Sequence, residues 1–268
     1  MNWDDAYSNS AYIPGGDSYP GRWAEAAAAF RAGARALLDQ PYGPNPREVY
    51  DLFLPAGPPH GTVVFIHGGY WLAFDKSSWS HLAAGPLAHG WAVAMPSYTL
   101  CPEARIGEIS RQISRAVIAI AAKDYGEIRL AGHSAGGHLA TRLCCTSNLP
   151  GGHIAKILSI SGLHDLRPLL QTGMNAKLRL DATEAAAESP ALLTPRAGTV
   201  VTAWVGADER PEFLRQTALL ANIWAGLGAE TKQVIAPGRH HYDVIDDLAQ
   251  PDSPMVAELL SAQARIAR

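Results

Sequence analysis

Short runs of β-branched and apolar residues punctuate the chain at Val49–Leu54, Thr62–His67, Trp91–Met95, Ile128–Gly132, Lys156–Ser161, Thr199–Gly206 and Glu230–Ala236. Several are apolar throughout instead of alternating, the pattern of strands buried on both faces of a parallel sheet. Helical periods fall between them. Ile106, Ile109, Ile113, Val117 and Ile120 recur at three- and four-residue steps and give one helix an apolar stripe. Similar periods run through Ser78–His89, Ala135–Thr146 and Pro211–Leu227, and Ser253-Pro254 marks a capped start for a last helix through about Ile266. Strand–helix alternation at this spacing predicts a doubly wound α/β fold, with a mostly parallel central sheet and helices on both faces, in one domain over residues 1–268. Two segments break the alternation. Residues 1–48 carry Trp3, Tyr7, Tyr12, Tyr19 and Trp23 and a helix near Arg22–Asp39, and residues 164–197 hold short helical pieces and prolines. Each is a candidate cover over a site, with plain peripheral packing as the alternative.

The chain has 268 residues, 47% of them apolar and 18% charged, a balance that excludes disorder. Its net charge of −3, from 22 Lys+Arg against 25 Asp+Glu, provides no basic field for nucleic acid or anionic lipid. The uncharged stretches between Asp51 and Asp75 and between Lys76 and Glu103 are broken by Gly and Pro, so no membrane span is expected. The N-terminus is acidic and polar, unlike a secretory signal, and Cys101, Cys144 and Cys145 lack a disulfide or C-x-x-C pattern. The expected location is cytoplasmic, and a homo-oligomer is left open.

The chemistry concentrates in a few loops. Gly132-His133-Ser134-Ala135-Gly136-Gly137 follows a strand run and opens a helix, which is G-x-S-x-G in the context that lifts a serine nucleophile to the sheet edge. Upstream, Thr62–Ile66 runs into His67-Gly68-Gly69-Tyr70-Trp71. A Gly-Gly turn after a central strand offers unencumbered N–H donors to an oxyanion, each worth roughly 3–4 kcal/mol in the transition state. Gly69 and Tyr70 are the expected donors with Ala135 as a third, and Gly68 permits the turn. A base and an orienting carboxylate complete such a site in chain order Ser…Asp/Glu…His. His241 is preferred to His240 after the last strand, and Asp208 after the preceding strand leads Glu209 and Asp165. Tyr70 and Trp71, beside the glycines, are candidate substrate-lining residues. No tight ligand cluster such as H-E-x-x-H is present, so neither a metal nor another cofactor is expected.

These motifs resemble the α/β-hydrolase superfamily, in the esterase branch related to hormone-sensitive lipase. Within it HGGYW at 67–71 is similar to the H-G-G-x-W motif of kynurenine formamidases (arylformamidases), and GHSAGGHLA at 132–140 to their nucleophile elbow. SGLHDLRPL at 161–169 resembles their strand-exit segment, GADERPEF at 206–213 their acid loop, and HHYDVID at 240–246 their histidine loop, with Tyr242 where the family has a phenylalanine. The resemblance implies a Ser134–Asp208–His241 triad and cofactor-free hydrolysis of a small-molecule acyl amide or ester. An aryl formamide of the N-formylkynurenine type leads, a short-acyl ester or thioester follows, and a non-catalytic binding protein on the same fold is the reading from another class.

Overall fold

The computed structural model describes residues 1–145 and 154–262. Eight strands form one sheet: β1 (Ala36–Pro41), β2 (Val49–Phe53), β3 (Gly61–Ile66), β4 (Ala92–Pro96), β5 (Glu127–His133), β6 (Ile154–Ile160), β7 (Val200–Gly206) and β8 (Glu230–Ala236). The helices are α1 (Trp3–Ala6), α2 (Tyr19–Gly33), α3 (Ala84–Ala88), α4 (Ile106–Ala121), α5 (Ala135–Leu143), α6 (Asn175–Leu178), α7 (Ala182–Ala187), α8 (Pro211–Gly226) and α9 (Pro254–Leu260). The strand order is β1-β2-β4-β3-β5-β6-β7-β8. β2 runs antiparallel to both neighbours, and every pair from β4 to β8 is parallel.

Every residue of β3 is buried, because helices cover both faces of the sheet. Val64 and Ile66 face a core with the α4 stripe and Leu139 of α5, whereas Val63 and Phe65 face Trp23 of α2 and Met255 and Leu259 of α9. The stripe isoleucines Ile106, Ile109, Ile113 and Ile120 are all at 2% exposure or less, and burying each contributes up to roughly 1.5–3 kcal/mol.

One predicted element differs in type, and the helical period at Ser78–His89 is a 3-10 turn followed by the short α3. The helix expected through Asp39 stops at Gly33, where Ala34 turns extended, and Ala36–Pro41 becomes the edge strand β1. Its Leu37 and Leu38 stay more than 40% exposed, so the strand lacks the burial pattern that reveals a strand in sequence. The last helix ends at Leu260; Thr146, His153 and the segment beyond residue 262 lie outside the described residues. No helix among the described residues is long and apolar enough to cross a membrane.

Parallel strands bring their carboxyl ends to one edge. The turns after β3, β5, β7 and β8 therefore converge, and these four turns carry the candidate residues at 67–71, 134–135, 208–209 and 240–241.

Candidate active site

Ser134 joins β5 to α5 with φ 55° and ψ −117°, a backbone conformation that a non-glycine residue holds only under tertiary constraint. The constraint is visible on both sides. Ser134 N–H donates to the Ile160 carbonyl at 2.8 Å, and its own carbonyl accepts from His138 N–H at 3.1 Å. The flanking glycines are there for space: a Cβ on Gly136 would lie 1.9 Å from the Ile66 carbonyl oxygen, and one on Gly132 would lie 2.1 Å from that of Gly136. Helix α5 is thereby pressed against β3, with Ala135 at its first position.

The turn after β3 is strained as well. Gly69 has φ +105°, and Tyr70, Trp71 and Phe74 follow at φ 52°, 57° and 70°. Gly68 sits directly under the elbow, since a Cβ there would come within 3.1 Å of Ser134 Cβ. Among the described residues the N–H groups of Gly69, Tyr70 and Ala135 donate to no protein acceptor. His67 holds the turn from below. Its Nδ1–H donates to the Gly68 carbonyl at 2.8 Å, and its ring stacks on Tyr98 at 4.3 Å. Burial pushes the His67 imidazole down to about 4, so it stays neutral at pH 7.

His241 is buried after β8, and its Nδ1 lies 2.6 Å from Glu209 Oε2. The partner is Glu209 and not Asp208, which corrects the expected acid by one residue. The turn after β7 exposes Asp208 to solvent and directs the next side chain inward. There Glu209 Oε1 accepts from Ser161 Oγ at 2.5 Å and from Gly206 N–H at 2.8 Å. A carboxylate fixed by two other donors orients the ring it faces, because its lone pairs have no competing geometry. The carboxylate accepts, so Nδ1 carries the hydrogen and Nε2 is left as the basic nitrogen. Asp165, the other alternative, pairs with Arg167 instead. His240 is held by Tyr19 Oη at 3.1 Å and by Asp243, away from the cavity.

Ser134 and His241 line one cavity of about 340 Å³. Tyr70 lines it, as expected, together with Gly69. Trp71, expected beside it, does not: the chain turns again after Tyr70, and Trp71 is fully buried, edge-on to His138 at 5.1 Å. Part of the wall comes from the N-terminal segment, through Tyr7, Asn9 and Trp23. Tyr7 Oη donates to Glu212 Oε1 at 2.8 Å and accepts from Gln216 Nε2 at 3.2 Å, and its carbonyl receives Tyr70 O–H at 2.6 Å. Residues 164–197 line none of it; Leu166, Leu169, Leu178 and Ala185 pack into the core instead.

Three contributors were not singled out from the sequence. His133 lines the cavity, and its Nε2–H donates to the His241 carbonyl at 2.9 Å, fixing the backbone of the histidine loop. Burial and the neighbouring His241 hold His133 far below the usual imidazole range. Phe213 packs on the His241 ring at 4.4 Å, and Ser161 anchors Glu209. All three sit inside the quoted motif segments, so their neighbourhood was legible while their contacts were not. Among the described residues no group of three or more His, Cys, Asp or Glu side chains is arranged to hold a metal ion.

Comparison with known proteins shows the family and the fold. Residues 63–241 match the family model described as alpha/beta hydrolase fold. A crystal structure from Silicibacter sp. TM1040, described as that of a candidate thioesterase, is 52% identical, covers 97% of this chain and 100% of its own, and superposes with a TM-score of 0.94. Kynurenine formamidase from Danio rerio is 28% identical over 86% of this chain and 83% of its own length, and that from Drosophila melanogaster is 30% identical over 71% and 69%.

Proposed function

Because the chain belongs to the α/β-hydrolase family, we propose that it is a serine hydrolase that cleaves a small acyl group, foremost formyl, from an aromatic amine through an acyl-enzyme. The observation that carries the reading is a buried His241, held by Glu209 at 2.6 Å from behind, that lines one cavity with a serine in a strained elbow. Ser134 Oγ attacks the acyl carbon while His241 Nε2 takes its proton, and Glu209 holds the ring and stabilises the imidazolium. The oxyanion rests on the N–H groups of Gly69, Tyr70 and Ala135, with Gly68 permitting the approach. Collapse breaks the carbon–nitrogen bond, and His241 returns the proton to the departing amine. Water then adds to the acyl-serine with its proton passing to His241, and formate and free serine result. None of these steps calls on a cofactor.

The kynurenine formamidase relatives and the aromatic cavity wall support the formamide. A short-acyl ester or thioester is the second reading, favoured by the 52% identical structure. Cys101, Cys144 and Cys145 are free thiols, which fits a cytoplasmic enzyme. Treatment with diethyl 4-nitrophenyl phosphate, followed by peptide mass mapping, tests the nucleophile. The expected result is one diethylphosphoryl adduct on Ser134 with activity lost in proportion. Full inhibition with the adduct elsewhere, or full activity in a folded Ser134→Ala protein, would overturn the reading.

A further inference from the structure

The cavity wall carries a statement about substrate charge, and it rests on Ser134 being the nucleophile. Four rings form one side: Trp23 lies 4.6 Å from Trp79, 5.9 Å from Phe74 and 5.3 Å from Tyr242. The polar remainder of the N-terminal wall is Ser8, Asn9 and Ser10, all neutral. No Asp, Glu, Lys or Arg is among the described residues lining the cavity. Behind the wall, Arg47 is engaged with the Tyr98 and Phe74 carbonyls, and two further arginines and Glu209 have polar partners of their own. Arg210 pairs with Asp5 at 2.5 Å, Arg215 pairs with Glu212 at 2.7 Å, and Glu209 is committed to His241, Ser161 and Gly206. An ammonium or carboxylate entering this space would lose its hydration without gaining a countercharge, whereas a neutral ring exchanges water for aromatic contact.

We propose that this cavity selects an uncharged aryl substrate, a formyl group on the nitrogen of a ring whose other substituent is neutral, and discriminates against the same ring bearing an amino-acid side chain. Asn9 and the two serines then offer hydrogen bonds to a neutral carbonyl on that ring, and the aromatic quartet contacts the ring itself. The assignment separates this chain's substrate from the zwitterion that the formamidase resemblance implies.

Three formamides with the same ring and the same scissile bond test it on the full-length protein at pH 7.5: neutral 2-formamidoacetophenone, cationic N-formylkynuramine and zwitterionic N-formylkynurenine. The expected kcat/KM for the neutral compound exceeds that of both charged ones by at least about tenfold, a difference of about 1.4 kcal/mol. Parity, or preference for the cation through the aromatic rings or for the zwitterion, would overturn the proposal. If all three are inert while phenyl acetate is cleaved, the formamide reading fails on its own, and phenyl acetate against 4-acetoxybenzoate decides the charge question: tenfold preference for the neutral ester sustains selection against charge, and parity ends it. Absence of any turnover together with absence of a Ser134 phosphoryl adduct would overturn the serine-hydrolase reading, and the proposal with it.

Discussion

The elbow around Ser134 and the N-terminal segment meet across the same small cavity, and they are built in opposite ways. The elbow is backbone: two glycines let α5 approach β3 to distances that no side chain survives, and a serine is held at positive φ as a result. The N-terminal wall is side chain. Tyr7 is tied to Glu212, Gln216 and Tyr70, and Trp23 is set among Trp79, Phe74 and Tyr242. A site fixed by close backbone approach has few sequence solutions and little tolerance. A wall fixed by packing has many solutions, and it can change what enters without disturbing the chemistry.

The contrast breaks first at Gly136. A methyl group there meets the backbone carbonyls of Ile66 and His67, at 1.9 and 2.8 Å, and neither can rotate away. Gly136→Ala is expected to cost more than about 4 kcal/mol and to lower the melting temperature by on the order of 10 °C, read by thermal denaturation. A melting temperature within about 2 °C of the parent would mean that the approach of helix to strand is looser than described.

Acid probes the buried histidines near the elbow as a group. Burial pushes His67 and His164 down to about 4 and His138 to about 3, whereas unfolding returns each to its ordinary value of 6.5. Between those values the unfolded chain binds more protons, so stability is complete above about pH 6.5 and is lost as pH falls toward 4. Asp246, pushed up to about 6 by burial and by Asp243, works in the opposite direction, one group against several. The urea midpoint is therefore expected to be lower at pH 5 than at pH 7.5, and a higher midpoint at pH 5 would contradict the account.

The smallest effect sharpens the other side of the comparison. Tyr7→Phe removes a buried hydroxyl that donates to Glu212 and accepts from Gln216, at a cost of about 1–3 kcal/mol, and leaves every reacting group in place. KM for an aryl substrate should rise several-fold while kcat changes less than about twofold, as expected when binding and not chemistry is weakened. A fall in kcat at unchanged KM would mean that the wall takes part in the chemistry.

The same contrast explains what could be read from the chain. Seven strands, the α4 stripe, the elbow and the Gly-Gly turn follow from apolar periodicity and glycine spacing, because those patterns report backbone geometry directly. β1 was hidden because an exposed edge strand has no burial pattern to display. The fate of Trp71 was hidden because two successive positive-φ residues reverse the chain and send adjacent aromatics to opposite environments. The acid was displaced by one residue for a related reason. Asp208 and Glu209 are equivalent by composition and spacing, and only the turn after β7 decides which faces solvent and which faces His241.

That last pair offers the most direct test of the account's central claim, that a Glu209-oriented His241 activates Ser134. Glu209→Gln and Asp208→Asn, assayed side by side on phenyl acetate or on whichever acyl substrate the parent turns over fastest, differ only in which carboxylate is neutralised. The expected result is a loss of about 10³–10⁴ in kcat for Glu209→Gln, in line with amide replacement of a triad carboxylate, and a change under about threefold for solvent-facing Asp208→Asn. The reverse order, or equal small effects in two folded proteins, would contradict it.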